Sequence, residues 1–315
     1  MSKHVIVGSG PIGSAVAREL VGRGESVRMV TRSGGGPEHP LIERVAADAT
    51  DAARLTELTR GAEVLYNCAN PATYTGWEKI WPPMAAAMLT AAKENDAVLA
   101  ITGNLYVYGP VPGGRMTEQS PLAATGRKGR VRIKMWQDAL ASGIRTVDVR
   151  GSDYIGAGAS SVFSVSLLPA IAKNRAVWAP ADPDMPHTFT YTGDMGRALV
   201  ALAGDERAWG KGWHVPSQPA ISIRELAARY FAISGAKPIG CLISPVRTSG
   251  PSSPHQRCIC DAGSPELLTM RRAARRSLVP RAVLPFTARI DTATIGAGLV
   301  ALVDASALGR TQGHR

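Results

Sequence analysis

The sequence predicts an α/β protein in which a doubly wound parallel sheet is followed by a smaller C-terminal lobe. Three observations support this class. Short apolar runs alternate with helical patterns over the first two hundred residues, as in a parallel sheet covered by helices. A glycine-rich turn directly follows the first apolar run. The 315 residues, 45% hydrophobic and 19% charged, are enough to bury a substantial core.

The individual elements follow from local patterns. A third strand is predicted just before residue 46, and a strand is predicted at 213–215. Ser222 and Glu225 form a capping box, which opens a helix that runs to Ser234 and stops at Gly235. The other predicted strands are 5–7, 27–30, 64–67, 98–102 and 146–150, and the other predicted helices are 14–21 and 83–93.

The net charge of +11 raises nucleic acid as a partner, but its distribution argues against one. Residues 241–315 contain ten arginines and four acidic residues, so the excess is concentrated in this tail. A nucleic-acid or membrane surface would need aromatic or apolar partners, which the Arg-rich part of this tail at 244–281 does not show. We therefore expect a small-molecule substrate, with neither nucleic acid nor membrane as a partner.

The N-terminus and the cysteines bear on location and metal binding. Every apolar run is shorter than a membrane span, and no signal peptide is recognisable, which predicts a cytoplasmic protein. Four cysteines in a chain of this size fit a reducing compartment. Cys258 and Cys260 lack the second pair that a metal site needs, so no metal is expected.

The strongest chemical motif is the segment GSGPIG, which stands directly between a strand and a helix. In this context the first glycine permits a tight turn, the second allows the backbone to approach a pyrophosphate, and the third allows close helix packing. The motif therefore predicts a Rossmann-type dinucleotide-binding fold. The residues assigned to the cofactor here are Gly8, Ser9, Gly10, Pro11, Ile12 and Gly13.

The end of the second strand indicates which dinucleotide is bound. An acidic residue at this point binds the ribose 2′-hydroxyl of NAD, but this chain has Thr31, Arg32 and Ser33 instead. A guanidinium flanked by hydroxyls suits a 2′-phosphate. The sequence thus favours NADP(H) over NAD(H); the alternative is that Arg32 is only a solvated loop cation.

Several motifs in fixed order resemble a known superfamily over about residues 3–235. After the glycine turn come AADATD (46–51), NCANP (67–71), ITGNLYVYGP (101–110), VDVRGSDYIGAG (147–158) and PHTFTYTGDMGRALVAL (186–202). Together they resemble the extended and atypical short-chain dehydrogenase/reductases, which include NAD-dependent epimerases and dehydratases.

The resemblance implies further cofactor contacts. Asp48 and Ala49 would line the adenine, and the segment from Asn67 through Cys68 and Ala69 to Asn70 would run past the ribose. Residues 151–154 would flank the nicotinamide, and 187–194 would be the crossover back into the dinucleotide-binding domain. Thr102 and Gly151 are also assigned to the cofactor.

The catalytic pattern of the superfamily is not found at its expected place. Relatives carry a serine or threonine after the fifth strand and a Tyr-x-x-x-Lys on the next helix. Aligned on Tyr108-Gly109, the serine position falls on Asn104, while the helix position falls in TGRKGRVRIKMWQDAL (125–140). There Thr125 and Gly129, or Gly129 and Ile133, replace the pair. The buried face of this helix is predicted to comprise Met135, Trp136, Ala139 and Leu140.

Three functional hypotheses remain open. The enzyme transfers hydride with another proton donor, or it binds NADP(H) as a non-catalytic sensor, or it catalyses a non-redox isomerisation, elimination or cyclisation. For the first, Tyr106, Tyr108, Tyr154 or water would donate the proton, and Lys128, Arg132 or Lys134 would tune the donor. Tyr106 is preferred; it and Tyr108 are expected to point to one side of a strand.

Other catalytic candidates each have a structural alternative. Asn104 would hold a substrate carbonyl or bond only to its own loop. Asp153, beside Tyr154, would act as a base or cap a turn. His187 would touch substrate or be structural. The full catalytic prediction is Tyr106, Asn104, Lys134, Tyr154 and Asp153.

The domain organisation and the substrate follow from the same segments. Residues 1–154 and about 186–204 are predicted to form the NADP-binding domain. Residues about 155–185 and 205–315 are predicted to form the substrate lobe, with 238–288 poorly ordered. The mainly apolar segment 160–180 predicts a small, fairly apolar substrate that is not a nucleotide. The Ala-, Gly-, Arg- and Pro-rich composition suits bacterial secondary metabolism, and a homodimer is compatible with the sequence.

Overall fold

A computed structural model describes residues 3–71, 75–109, 115–161 and 182–234, with shorter pieces at 163–164, 169, 173, 177–179, 243–245 and 259–260. The chain divides into two compact units. The first unit comprises Met1–Gly109, Glu118–Gly151 and Gly193–Val215. The second comprises Pro110–Thr117, Ser152–Thr192 and Pro216–Arg315. The domain bounds inferred from the sequence stay a prediction.

Strands and helices alternate over most of the first unit, as the sequence predicts, whereas several short strands of the second unit have no predicted counterpart. The strands are β1 (His4–Val7), β2 (Val27–Thr31), β3 (Ile42–Ala46), β4 (Val64–Asn67), β5 (Val98–Asn104), β6 (Arg115–Met116), β7 (Thr146–Gly151), β8 (Asp153–Ile155), β9 (Val177–Ala179), β10 (Phe189–Tyr191), β11 (Lys211–His214), β12 (Ile243–Pro245) and β13 (Ile259–Cys260). The helices are α1 (Pro11–Val21), α2 (Ala52–Thr59), α3 (Trp77–Glu94), α4 (Arg127–Ala141), α5 (Thr192–Ala203) and α6 (Ile223–Ser234).

A seven-stranded parallel sheet forms the centre of the first unit, in the order β11-β7-β5-β4-β1-β2-β3. The strand order reverses between β1 and β4, which is the topological switch point of a Rossmann-type sheet. Val5 and Val7 pack with α2, α3 and α4, and Ile6 faces the opposite side because successive side chains alternate. The predicted fold class is confirmed.

Helix α3 begins six residues before the predicted start at residue 83. The prolines at 82 and 83 suggested a helix beginning there, but both lie inside the helix. Trp77 and Trp81, one turn apart, are 4% and 0% exposed, and their rings are 6.0 Å apart in an edge arrangement. Burial of two indoles outweighs the local cost of the prolines, so tertiary packing extends the helix.

The second unit contains short parallel pairs, namely β8 with β10, β9 with β12 and β6 with β13. The capping box that opens α6 is confirmed, because the Ser222 N–H donates to Glu225 at 2.7 Å and the Glu225 N–H donates to Ser222 Oγ at 3.0 Å. Most of 160–180 and of 238–288 lies outside the described residues. In the described part of the chain, no helix is both long and apolar enough to cross a membrane.

Candidate active site

The carboxyl ends of the parallel strands form one edge of the sheet in the first unit. The cofactor residues predicted for this unit all lie in or directly after strands at this edge. Residues 8–13 follow β1, residues 31–33 end or follow β2, residues 48–49 follow β3, and residues 68–70 follow β4. Thr102 and Gly151 lie near the ends of β5 and β7. In open α/β sheets a ligand binds at this edge, beside the switch point.

The glycine turn has little space for side chains at its first and third glycines. Gly8 has a φ of +104°, and a Cβ there would stand 2.7 Å from the carbonyl oxygen of Cys68. A Cβ on Gly13 would collide with the Gly8 carbonyl oxygen. By contrast, a Cβ on Gly10 would have no heavy atom within 4 Å. Gly10 thus leaves open space at the N-terminus of α1, where a pyrophosphate would fit.

The turn after β2 contains Arg32, a cation whose side chain is exposed. Thr31 donates its hydroxyl to the Gly35 carbonyl at 3.1 Å, and Ser33 Oγ accepts from the Gly35 N–H at 3.3 Å. These hydroxyls therefore shape the loop. Arg32 is exposed and makes no hydrogen bond or ion pair with any described residue. Asp48 lies close enough for the charge of Arg32 to favour its ionised form, although hydrogen bonds from Thr50 are the main reason that the pKa of Asp48 is lowered.

Cys68 is buried behind the glycine turn. Burial raises the pKa of its thiol to about 12, so it stays protonated at neutral pH. Thr102 donates its hydroxyl to Cys68 Sγ at 3.6 Å. Ala69 is half-buried, and Asn70 is exposed and donates its amide to the Pro71 carbonyl at 3.3 Å. Cys68 therefore supports the turn through packing and not through thiolate chemistry.

Tyr106 and Tyr108 do not share one side of a strand, and this expectation was wrong. β5 ends at Asn104, whose side-chain oxygen accepts from the Tyr106 N–H at 3.1 Å and starts a 3-10 turn over Leu105–Val107. The turn breaks the alternation, so Tyr106 is 38% exposed whereas Tyr108 is fully buried. Burial raises the pKa of Tyr108 to about 12. The oxygen of Asn104 is occupied by its own loop, which leaves its NH2 group for other contacts.

Helix α4 packs very closely on this 3-10 turn. A Cβ on Gly129 would collide with the carbonyl oxygen of Tyr106 and with the Cβ of Ala124. None of the seven tyrosines in the sequence is followed by a lysine four positions later. Gly129 is one of the two positions at which the pair of the relatives is expected, and the close packing leaves no space for a larger side chain there.

The buried face of α4 differs from the predicted one, because it includes Arg132 and does not include Leu140. Leu140 is 42% exposed, so its predicted burial was wrong, whereas Arg132 is only 8% exposed. Residues 129, 132, 135, 136 and 139 form the buried face, at helical spacing. Lys134 points outward, is 72% exposed and pairs with Asp138 one turn later.

Two indoles contact two of the basic residues of α4, Arg132 and Lys128. The guanidinium of Arg132 lies 4.1 Å from the ring centre of Trp81 and 5.3 Å from that of Trp77. Its NH1 group donates to the Thr102 carbonyl at 3.4 Å. The ammonium of Lys128 lies 5.4 Å from the Trp77 ring, and partial burial lowers its pKa. Arg132 is thus a buried cation that reaches the end of β5.

A buried polar network beneath Tyr108 was missed by sequence reasoning. Arg150 donates to Asp148 Oδ2 and to the Tyr108 hydroxyl, both at 2.7 Å. The Tyr108 hydroxyl lies 2.7 Å from Nε2 of His214, and all four side chains are at most 6% exposed. The charged residues at 148 and 150, two apart in an apolar strand, were the available signal, because such charges need partners.

Asp153 and Tyr154 belong to β8 in the second unit. Tyr154 is half-buried and pairs with Thr190 of β10. Oδ2 of Asp153 lies 3.0 Å from Nε2 of His187, a contact that the sequence did not predict.

The seven-stranded parallel sheet, with its glycine turn at the switch point, defines a Rossmann-type fold. The family whose model the chain matches makes it an enzyme of the short-chain dehydrogenase/reductase superfamily. More specifically, the chain belongs to the NAD dependent epimerase/dehydratase family, whose model matches residues 5–213. A sequence comparison with curated proteins gives no match.

Solved structures with this fold cover nearly the whole chain. WbmH from Bordetella bronchiseptica, in complex with NAD+, is 19% identical with a TM-score of 0.72 and covers 96% of this chain and 99% of its own. DesIV, a dTDP-glucose 4,6-dehydratase from Streptomyces venezuelae with NAD bound, is 17% identical with a TM-score of 0.72, and the match covers 97% of this chain and 98% of DesIV. The UDP-N-acetylglucosamine 4-epimerase from Methanobrevibacter ruminantium M1 is 14% identical with a TM-score of 0.75, and the match covers 96% of this chain and 99% of the epimerase. At these identities the likeness shows the fold.

Proposed function

We propose that the protein is an NADP(H)-dependent oxidoreductase that transfers hydride to or from a small, fairly apolar carbonyl, enone or imine. The observation that carries the proposal is Tyr106, an exposed phenol just after β5 at the sheet edge that carries the glycine turn. Tyr108, two residues later, is buried and bonded to Arg150, so it is not free to meet a substrate.

Several residues at this edge fit a nicotinamide dinucleotide. The open space at Gly10 and the N-terminus of α1 suit a pyrophosphate. Arg32 suits a 2′-phosphate because its guanidinium has no partner among the described residues. The NAD in the WbmH and DesIV structures is the competing candidate, and an exposed Arg32 that makes no contact with the cofactor would favour it.

The chain's own residues would perform the proton chemistry, while the bound cofactor supplies or accepts the hydride. Tyr106 would donate its phenolic proton to the substrate oxygen or nitrogen during reduction and would take it back in the reverse reaction. The NH2 group of Asn104 holds the same substrate atom. These roles stay predictions, as do those of Tyr154 and Asp153.

We assign to Arg132 the role that the lysine of the Tyr-x-x-x-Lys pair has in relatives. Arg132 is buried, lies on the inward face of α4 and reaches the Thr102 carbonyl at the end of β5. The Lys134 prediction is not favoured by this geometry, since Lys134 is exposed and pairs with Asp138. A permanently charged guanidinium beside β5 would stabilise negative charge on a reacting oxygen without itself exchanging a proton.

The choice of a small substrate rests on the sequence, because most of segment 160–180 lies outside the described residues. That segment is mainly apolar and has one lysine and one arginine. A nucleotide diphosphate would require more cationic and hydrogen-bonding groups. A place in bacterial secondary metabolism is part of the same proposal.

The proposal is tested by a substrate panel with both cofactors. Oxidation of NADPH and of NADH is followed at 340 nm with ketones, enones, quinones and imines, and UDP- and dTDP-sugars serve as the competing substrate class. We expect NADPH oxidation with at least one small apolar acceptor. Turnover of the nucleotide sugars alone would overturn the substrate assignment, and absence of turnover with tight NADPH binding would overturn the redox assignment.

A further inference from the structure

The second unit contains a histidine–carboxylate pair that the proposed hydride transfer does not require. Nε2 of His187 lies 3.0 Å from Oδ2 of Asp153, and the side chains are 22% and 31% exposed. Among the ion pairs of the described residues, this is the one that includes a histidine, the side chain whose charge changes nearest to neutral pH. Both side chains are thus partly shielded and still accessible.

Backbone pairing holds both residues in place. His187 exchanges two backbone hydrogen bonds with Ile221, each 3.0 Å long. Asp153 is the first residue of β8 and pairs with Phe189 of β10, two residues beyond His187. Short side chains on paired strands have few ways to move, so the contact is preorganised. Flexible surface pairs lack this property and contribute little to stability.

The two imidazole nitrogens have different surroundings. Nε2 is buried against Asp153 in a close charge contact that is not a linear hydrogen bond, whereas Nδ1 is the ring nitrogen that does not face this carboxylate. A carboxylate beside Nε2 favours the tautomer with its proton on that nitrogen, which leaves the Nδ1 lone pair as a proton acceptor. The ring of Phe189 packs edge-on at 4.8 Å and forms an apolar wall on one side. This is the arrangement of an oriented general base.

We propose that His187, oriented by Asp153, is a proton-transfer residue that enolises a small carbonyl compound. Nδ1 takes a proton from the carbon next to the carbonyl group. The C–H bond breaks, an N–H bond forms, and the electron pair passes to the carbonyl oxygen to give an enolate. Return of a proton from Nδ1 regenerates the ketone. The step is redox-neutral and would isomerise or epimerise the substrate at that carbon.

This inference rests on the substrate class of the proposed function and not on hydride transfer. It therefore assigns a second activity to the protein. Experiments can confirm or refute enolisation by His187 independently of hydride transfer with Tyr106. If both occur, the protein combines redox and acid–base chemistry on one class of substrate.

The test is deuterium exchange at carbon, measured by proton NMR in D2O with the full chain and NADP+. The probe is the ketone that best supports NADPH oxidation, or cyclohexanone if none does. We expect wild-type protein to exceed the buffer rate. His187→Gln should lower the enzymatic rate at least about 100-fold, the low end of general acid–base effects. Asp153→Asn should lower it at least about tenfold, because the imidazole loses the group that fixes its tautomer.

Two controls separate chemistry from structure. Asp184→Asn removes another carboxylate of the second unit, one that pairs with Arg224 at 2.6 and 3.0 Å, and should leave the exchange rate unchanged. His187→Ala should regain exchange when imidazole is added, which loss of folding would not allow. Unchanged exchange in His187→Gln, or no exchange by wild-type protein above buffer, would overturn the proposal. Exchange without NADPH oxidation would support it while refuting the proposed hydride transfer.

Discussion

The hydroxyl of Tyr108 lies 2.7 Å from Nε2 of His214, and both side chains are buried. The same hydroxyl accepts a hydrogen bond from Arg150, so both of its buried neighbours contact it at hydrogen-bond distance. Burial, with a further contribution from Arg150, lowers the pKa of His214 to about 3. The pair thus joins the end of the 3-10 turn to strand β11 through a buried hydrogen bond.

Tyr108→Phe should destabilise the first unit without altering the surface. The substitution leaves the buried Arg150 and His214 each short of one hydrogen-bond partner, which costs about 1–3 kcal/mol of unfolding free energy. Urea unfolding measures the loss. Tyr106→Phe is the matched control, since Tyr106 is exposed and its removal should change stability by no more than about 0.5 kcal/mol. Equal effects of the two substitutions would contradict the network.

The stability of the protein should decrease on acidification because of His214. The unfolded residue gains a proton as pH falls below about 6.5, whereas the folded residue gains one only near 3. The stability that neutral His214 provides is therefore present above 6.5 and lost progressively as pH falls from 6.5 to 3, by up to about tenfold in the unfolding equilibrium per pH unit. Buried His4, whose pKa is also lowered by burial, acts in the same direction.

A comparison of unfolding curves between pH 6.5 and 4.5 isolates this effect. The stability of His214→Gln should vary less with pH over this range than that of wild-type protein, whereas His39→Gln, at an exposed histidine, should keep the wild-type slope. Parallel slopes for wild type and His214→Gln would show that His214 is not the neutral buried group described.

Tyr106→Phe should affect catalysis and not binding. If the phenol donates the proton, kcat should fall at least about 100-fold. The Kd for NADPH and the unfolding midpoint should stay at wild-type values. An unchanged kcat would remove Tyr106 as the donor, whatever reaction the panel identifies.

Arg32→Ala should discriminate between the two cofactors. Loss of a charge-assisted contact to the 2′-phosphate should weaken NADPH binding at least about tenfold and leave NADH binding unchanged. Titration by tryptophan fluorescence measures both. Arg60→Ala, at an exposed arginine after α2, controls for the change in overall charge. Equal loss for both cofactors, or none, would mean that Arg32 does not contact the phosphate.

Gly129→Ala should destabilise α4 despite the better helix propensity of alanine. A Cβ at this position meets the Tyr106 carbonyl, and relief of such a clash moves packed backbone, at a net cost of about 1 kcal/mol or more. Gly204→Ala is the control, because a Cβ there meets its nearest heavy atom at 3.7 Å. A Gly129→Ala protein as stable as wild type would show that the helix can move outward freely.

Sequence patterns predicted the sheet well because each strand is encoded by its own short stretch of sequence. Apolar runs and the glycine turn encode β1, β2, β4, β5 and β7 through burial and backbone geometry alone. The start of α3 was misplaced because packing of Trp77 against Trp81 overrode the prolines. The failure at Tyr106 and Tyr108 arose because the strand ends at Asn104, whose side chain accepts a hydrogen bond from the Tyr106 N–H and starts a 3-10 turn there.

The site was harder to predict because its partners are distant in sequence. Residues 8–13 and 31–33 can be placed from strand order, since each directly follows its own strand. The contact between Asp153 and His187 depends on the pairing of β8 with β10, and the Tyr108–His214 contact depends on β11 joining the sheet edge. Neither pairing leaves a local pattern, so only the folded chain shows these contacts.

The last strand of the parallel sheet to be synthesised is β11, which forms one edge of the first unit. This strand joins β7 and brings His214 to Tyr108, 106 residues earlier in the chain. While a ribosome is translating residues 152–213, Tyr108 and Arg150 already exist but their partner His214 does not. The sheet can therefore close its last edge only after residue 214 has left the exit tunnel, and until then the nascent chain presents an unpaired strand to chaperones.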